Sequence, residues 1–518
     1  MENINNDVNQ PGKDIRNEKM TLKQDLGLIL ACFLLGLLAN ILFYDKNLGI
    51  SYPIFALSFY AIFLWRQRDS LTFSFSFGWA LTIPIVLLSF TYLIFSNEIF
   101  LVLNFMAIPV LILAQTILLS KANRYKWFQA YFLIDILQGM FSRTLSYIFV
   151  PFKKLNSLLF KKNEPGKFGN ISKVIIGLVI SLPLVMVVSA LLISADQVFG
   201  ELVGGIPEYL ENINFYEFLV RVFITIFIGT ISFSYLWSFA QPRKEEALKP
   251  AASSRVLGRI WDPVIIITVL VSINMIYVIF TTIQFAYLFG GVVPFGFTYA
   301  EYARRGFFEL NLVTMINLII LLSNINLKKD GGNGINLAMK VLNTLLVACT
   351  AVMLISAHYR MLMYEEAYGY TYLRILTHLF MAFILVLLTI AMVKVWNEKI
   401  ALLKAYIITA LIAYVVVNYM NIDVIIARNN LNRYQATHKV DAYYLTSLSY
   451  DAVPIIVPLL DDADKEIANR VMNGLYNKKE RLKYDKSWQS FNISKYRAEK
   501  ILMKYELKNT HYAGENLN

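Results

Sequence analysis

TYAEYARRGFFELN, residues Thr298–Asn311, closes one loop and opens a long apolar run that reaches about residue 325. Read as helix, it sets Glu301, Arg305 and Glu309 four residues apart on one face, with Arg304 beside them. Acid–base pairs at that spacing interact. Charges next to a membrane segment are costly unless paired or hydrated. The cluster therefore marks either a clamp between helix ends or a site.

Working outward, the same alternation of apolar run and charged loop recurs along the chain. Of 518 residues, 57% are hydrophobic and 16% charged, where ordinary soluble domains carry roughly 25% charge. Mean hydropathy is +0.52. The chain reads as an all-α polytopic membrane protein. The runs fall near 26–44, 50–65, 75–95, 99–119, 174–195, 217–238, 263–285, 306–325, 338–359, 372–393 and 400–420. That makes about eleven transmembrane helices. Eleven spans put the two termini on opposite sides.

Basic residues choose the side. They collect before the first run (Lys13, Arg16, Lys19, Lys23) and after the second (Arg66, Arg68) and fourth (Lys121, Arg124, Lys126). They return after the sixth (Arg243 to Arg259), the eighth (Lys328, Lys329) and the tenth (Lys394, Lys399). Loops rich in Lys and Arg stay in the cytosol. The expectation is a cytosolic N-terminal tail over 1–25 with no cleavable leader, a membrane domain over 26–420, and a cytosolic loop over 239–260. An extracytoplasmic, mostly helical appendage follows over 421–518. The net charge of +12 follows from this loop bias, so no nucleic-acid partner is inferred. Membrane lipids are the expected surroundings.

The segment 127–162 has apolar residues at helical spacing and ends on Lys153, Lys154, Lys161 and Lys162. It reads as an amphipathic helix lying in the cytosolic interface, with a pair of short embedded helices as the competing reading. The basic flank favours the first, because anionic headgroups attract Lys. Cys32 and Cys349 both sit inside apolar runs, so neither a disulfide framework nor a cysteine metal site is expected. The four histidines have no metal-ligand spacing. No phosphate-binding GxxxxGK[ST] motif occurs. No metal and no cofactor are expected.

A second polar stretch, SAHYRMLMYEEAYGYTYLRILTHLF from Ser356, carries His358, Arg360, Glu365, Glu366, Arg374 and His378. The topology sets it on the same outer side as Glu301, Arg304 and Arg305. Gly369 would allow a sharp turn between two helices, and Asp423 and Arg428 leave the last span on that side. A carboxylate beside Arg holds a guanidinium in place, and arginines so held bind phosphate or carboxylate through paired hydrogen bonds. The blander reading is that these groups only tie helix ends together. Asn274, Asn311, Asn317 and Asn324 are expected to make interhelical hydrogen bonds.

At these residues the chain resembles the multi-pass bacterial membrane proteins of the uncharacterised families DUF4173 and DUF4153. The similarity is carried by YAEYARRGFFEL (Tyr299–Leu310), RMLMYEEAYGYTYLR (Arg360–Arg374), NIDVIIARNNLNR (Asn421–Arg433) and DAYYLTSLSYDAVP (Asp441–Pro454). The resemblance implies a bacterial plasma membrane and brings no activity with it. It leaves three readings. The first is an envelope protein whose outer polar site binds an anionic lipid, a glycan intermediate or a protein partner. The second is a transporter, disfavoured by the scarcity of charge within the spans, or a lipid flippase. The third is an outward-facing transferase acting on a lipid-linked substrate.

Overall fold

The computed structural model describes residues 11–159 apart from 70 and 72, scattered positions between 177 and 199, and residues 215–240, 262–290, 307–327, 332–484 and 486–509. The described residues fold into helices with no strand among them. The longer ones, in chain order, are α1 (Pro11–Phe43), α2 (Ser51–Gln67), α3 (Thr82–Ile94), α4 (Glu98–Leu119), α5 (Phe132–Leu137), α6 (Val150–Leu159), α7 (Phe215–Ser238) and α8 (Pro263–Gly290). They continue with α9 (Phe307–Leu327), α10 (Asn333–Tyr368), α11 (Tyr372–Trp396), α12 (Leu402–Tyr419), α13 (Ile422–Thr437), α14 (Ala442–Ser447), α15 (Lys465–Tyr484) and α16 (Ile493–Leu502).

Eight helical stretches among the described residues are long and apolar enough to cross a membrane. They are Gln24–Phe43, Phe77–Ile94, Glu98–Leu119, Glu217–Ser238, Pro263–Gln284, Asn333–Tyr368, Tyr372–Trp396 and Leu402–Tyr419. The protein is thus an all-helical, multi-pass membrane protein. Of the other expected spans, α2 has 17 residues, at the lower limit of what a crossing needs. The apolar part of α9 is the shorter stretch Glu309–Ile325. Most of 174–195 lies outside the described residues, as do 241–261. The third span breaks at Leu81, between Phe77–Ala80 and α3. Pro84, in the first turn of α3, cannot donate to the carbonyl four residues back.

Charge sparsity in the spans is met by pairing between helices, as a hydrocarbon surrounding requires. Asn104 donates to Asn418 Oδ1 (2.7 Å) and Thr91 Oγ1 (2.9 Å), and accepts from Tyr414 (2.7 Å). Asn317 donates to Thr350 (2.8 Å), Asn324 to Asn343 (3.1 Å) and Asn274 to the Leu342 carbonyl (3.0 Å). These join α8, α9 and α10. Where α1 crosses α7, small residues let the backbones touch. A Cβ on Gly36 would lie 2.2 Å from the Thr225 carbonyl oxygen, and one on Gly229 3.1 Å from Phe33 Cα.

Helices α13–α16 gather a core of their own, including Ile426, Leu445, Ile456, Val471, Leu475 and Leu502, which continues into Phe100 and Ile375 of the bundle. Asn492 caps α16 by accepting from Lys495 N (3.0 Å) and donates to the Tyr92 and Phe95 carbonyls (2.8 and 2.7 Å), where α3 ends. Ile50 N donates to Phe491 O (3.0 Å), and Ser490 Oγ to Asn47 O (3.0 Å). Loops 44–50, 95–97 and 369–371 and the C-terminal helices therefore share one end of the bundle. At the other end of α1, Asp25 pairs with Lys154 of α6 (2.6 Å), whose ammonium lies 4.8 Å from the Trp237 ring.

The segment after α4 folds as α5, a π-helical turn over Gln138–Arg143, a short turn and α6. Phe132, Asp135, Ile136 and Thr144 are buried, while Leu133, Leu137, Met140, Phe141 and Leu145 face outward. Asp135 accepts from the amides of Arg124 (2.8 Å) and Tyr125 (2.9 Å), closing the loop after α4.

Gly36 is a test of this packing. Gly36→Ala should lower the unfolding midpoint in detergent by several degrees, because a backbone oxygen cannot step aside and overpacking costs about 1–3 kcal/mol. Gly334→Ala, with nothing within 4 Å of the added carbon, should leave it unchanged or raise it slightly. Thermal unfolding of both variants makes the comparison.

Candidate functional site

Helix α10 runs 36 residues, about 54 Å at the α-helical rise, and stops only at Gly369, whose φ is +85°. That exceeds the roughly 30 Å of hydrocarbon, so its polar last turns extend toward the end that carries the C-terminal helices. Two of its faces hold polar side chains. On the face toward α8, Gln284 Oε1 accepts from Ser356 Oγ (2.8 Å) and from Arg360 Nη2 (3.2 Å).

Beside this trio lies a cavity of about 340 Å³ between α8, α9 and α10. Ile276, Tyr277, Phe280, Leu310, Val313 and Met353 give it apolar walls, and Gln284, Glu309 and Arg360 make its polar part. Arg360 is 7% exposed and Ile276 65% exposed, so the cavity runs from a buried cation to the outer apolar surface. Glu309 is exposed. Tyr277 donates to Asn317 (2.6 Å), which fixes the ring at the wall.

On the face toward α11, Glu365 Oε2 is 3.0 Å from His378 Nε2, and His378 Nδ1 is 2.7 Å from His358 Nδ1. His358 and Glu365 are about two helical turns apart on one face, while Arg360 lies about 140° round the helix from Glu365. That angle separates the two polar groups. The sequence suggested carboxylates gripping arginines; here Glu365 holds a histidine.

The turn between these helices is locked from α13. Asn430 accepts from Tyr370 N (2.9 Å) and donates to Tyr370 O (2.8 Å), and Arg433 donates to the carbonyls of Glu366 (2.7 Å), Ala367 (2.6 Å) and Lys439 (3.1 Å). Arg374 donates to Gly369 O and lies 4.4 Å from the Tyr364 ring. Among the described residues no ion pair joins Arg374 to Glu365 or Glu366. Arg428 is exposed on α13. Glu301, Arg304 and Arg305 lie outside the described residues, and the expected union of that motif with Glu366 and Arg374 lies outside them too. Of the named candidates, Glu309 shares a cavity with Arg360, and His358, His378 and Glu365 form one chain.

Sequence reasoning passed over Gln284, Arg433, Asn97 and Asp451. Gln284 is an amide in an apolar run, like Asn274 of the same helix, and that is a signal in itself. At the junction of bundle and C-terminal helices, buried Asp423 accepts from Asn97, Tyr372 OH and Ser449 N (3.0 Å). Asp451 accepts from Ser96 N and Oγ, both at 2.8 Å. Lys478 of α15 donates to Leu448 O and lies 4.9 Å from the Tyr450 ring. Burial pushes its ammonium down to about 8, against the opposing pull of Asp423. Among the described residues no group of three or more His, Cys, Asp or Glu is placed to hold a metal ion.

The family described as a domain of unknown function, DUF4153, matches residues 82–459. No curated protein and no solved structure matches the chain.

Lys478 yields a pH dependence. Between pH about 8 and its ordinary 10.5, the unfolded chain holds a proton the folded chain has released, so folding gains with rising pH. Relative to Lys478→Met, the unfolding midpoint of the unaltered protein should therefore climb from pH 7.5 to pH 10. Parallel melting curves across that range would read it.

Proposed function

The chain belongs to the DUF4153 family, and on that premise we propose that it is an integral protein of the bacterial plasma membrane that binds an anionic amphiphile between α8, α9 and α10. The ligand class is an anionic lipid or lipid-linked glycan intermediate. Its head group meets Arg360 and its chain lies along Ile276, Phe280, Val313 and Met353. The observation that carries this reading is the cavity of about 340 Å³ that couples apolar walls to a buried guanidinium. Arg keeps its charge when buried and presents a planar fork suited to phosphate or carboxylate. Glu309, being exposed, sets less of the field inside. The volume sits at the small end of ligand pockets, which begin near ~300 Å³, so it takes one chain or head group rather than a whole multi-chain lipid.

In the proposed orientation the N-terminus and the 239–260 loop are cytosolic and residues 421–518 extracytoplasmic. The alternating basic bias supports it, and so does the gathering of the lysine- and arginine-poor loops 44–50, 95–97 and 369–371 around the C-terminal helices. The outward apolar face of α5 and the π-helical turn, flanked by Lys153 and Lys154, is in this reading set against the inner leaflet.

In detergent, phosphatidylglycerol should raise the unfolding midpoint by several degrees and phosphatidylcholine of the same chains should not. Arg360→Gln should abolish the difference, and Val313→Trp, which fills the cavity, should do likewise. Equal shifts from both lipids would count against the reading. For orientation, Cys32 and Cys349 are buried, which gives labelling a low background. A membrane-impermeant maleimide should modify Lys500→Cys in intact cells and Ser253→Cys only after permeabilisation; the reverse pattern would invert the topology.

A further inference from the structure

We propose that Glu365, His378 and His358 form a proton-transfer chain between α10 and α11, ending at a buried carboxylate that accepts the proton. This goes beyond the ligand reading and does not depend on it. The chain is contiguous: Glu365 Oε2 to His378 Nε2 is 3.0 Å, and His378 Nδ1 to His358 Nδ1 is 2.7 Å, with the imidazoles edge to face at 75°. One end lies at the surface of the helix bundle and the other is sealed inside it. His358 is exposed, His378 has a side-chain exposure of 13%, and Glu365 is 1% exposed. Along α10 the seven-residue step from His358 to Glu365 spans about 10 Å.

The buried carboxylate is the second observation. Among the described residues Glu365 Oε1 has no hydrogen-bond partner, although an unpartnered, buried charged oxygen is expensive. The cations packed nearby are engaged elsewhere. Arg374 of α11 holds Gly369 O and the Tyr364 ring, Arg433 of α13 holds three carbonyls, and Arg360 of α10 faces Gln284. Glu366 is exposed, and Tyr370 is held through its backbone by Asn430. The groups that face Glu365 are thus suited to a carboxyl that alternates between ionised and protonated forms, the pattern of Glu and His chains inside membranes.

The contacts admit two proton arrangements related by one concerted shift. With Glu365 ionised, His378 donates from Nε2 to Oε2, and His358 donates from Nδ1 to His378 Nδ1. A proton arriving at the outward Nε2 of His358 releases the Nδ1 proton to His378 Nδ1, and the Nε2 proton of His378 passes to Glu365 Oε2. One proton has entered, Glu365 is a neutral acid, and both imidazoles are neutral with their tautomers exchanged. No other reactant is needed.

The chain has four histidines, and His438 and His511 lie away from this site in sequence. Full-length protein carrying His438→Gln and His511→Gln, reconstituted in bilayers, would show imidazole ¹⁵N resonances from His358 and His378 alone. On acidification we expect both to exchange tautomer together while staying neutral, in step with protonation of the Glu365 carboxyl. In Glu365→Gln the joint exchange should vanish, and proton affinity of the pair should fall at least about tenfold, because the carboxylate no longer stabilises added charge. His358→Gln, at an exposed position that does not threaten folding, should uncouple His378 from bulk pH. Two histidines titrating independently near their ordinary value of about 6.5, unaffected by either change, would overturn the proposal.

Discussion

At Gly369 the backbone turns with φ +85°, and the Asn430 amide oxygen sits 2.7 Å from where a Cβ would lie. Much of the structure rests on that contact. Only glycine adopts this conformation cheaply and leaves room for the amide. The Asn430 side chain then satisfies both backbone groups of Tyr370, and Arg433 collects the carbonyls left open where α10 ends. An orphaned helix end beside a membrane is costly, so α13 completes α10. By closing that turn it also brings α11 alongside α10, which is what sets His378 against both His358 and Glu365.

The bundle below is held by the same rule applied to side chains. Amides and hydroxyls in the spans find partners on neighbouring helices, as in Tyr277–Asn317–Thr350 and Asn104–Asn418. Each such bond is modest, about 0.6 kcal/mol in measured membrane cases, yet each fixes rotation, because an amide turned toward lipid has no partner. Close contact of α1 and α7 through Gly36 and Gly229 adds dispersion where hydrophobicity gives no preference between lipid and protein.

The C-terminal helices contribute more than a cap. Asn492, Asp451 and Asp423 all reach the connection between α3 and α4, at Phe95, Ser96 and Asn97, while Asn430 holds the turn at 369–371, so both connections are tied to α13–α16. The Glu365 end of the proton chain thus lies beside a turn that α13 holds through Asn430 and Arg433.

The membrane architecture was legible in the sequence because apolar length is a local property: about 20 residues suffice to cross a bilayer, and α1, α4, α7, α8, α11 and α12 follow directly from it. The candidate residues Arg360, Glu365, His358 and His378 were also legible, since charge near a span is rare enough to notice. Their grouping was not. Whether Glu365 meets an arginine or a histidine depends on the rotation of α10 against α11 and on the turn at Gly369, and that turn depends on Asn430 and Arg433 some sixty residues later. Residue types and spans are written locally. Which polar groups share a face, a cavity or a hydrogen bond is decided by helix packing, where an uncharged Gln284 from α8 matters as much as a charged motif.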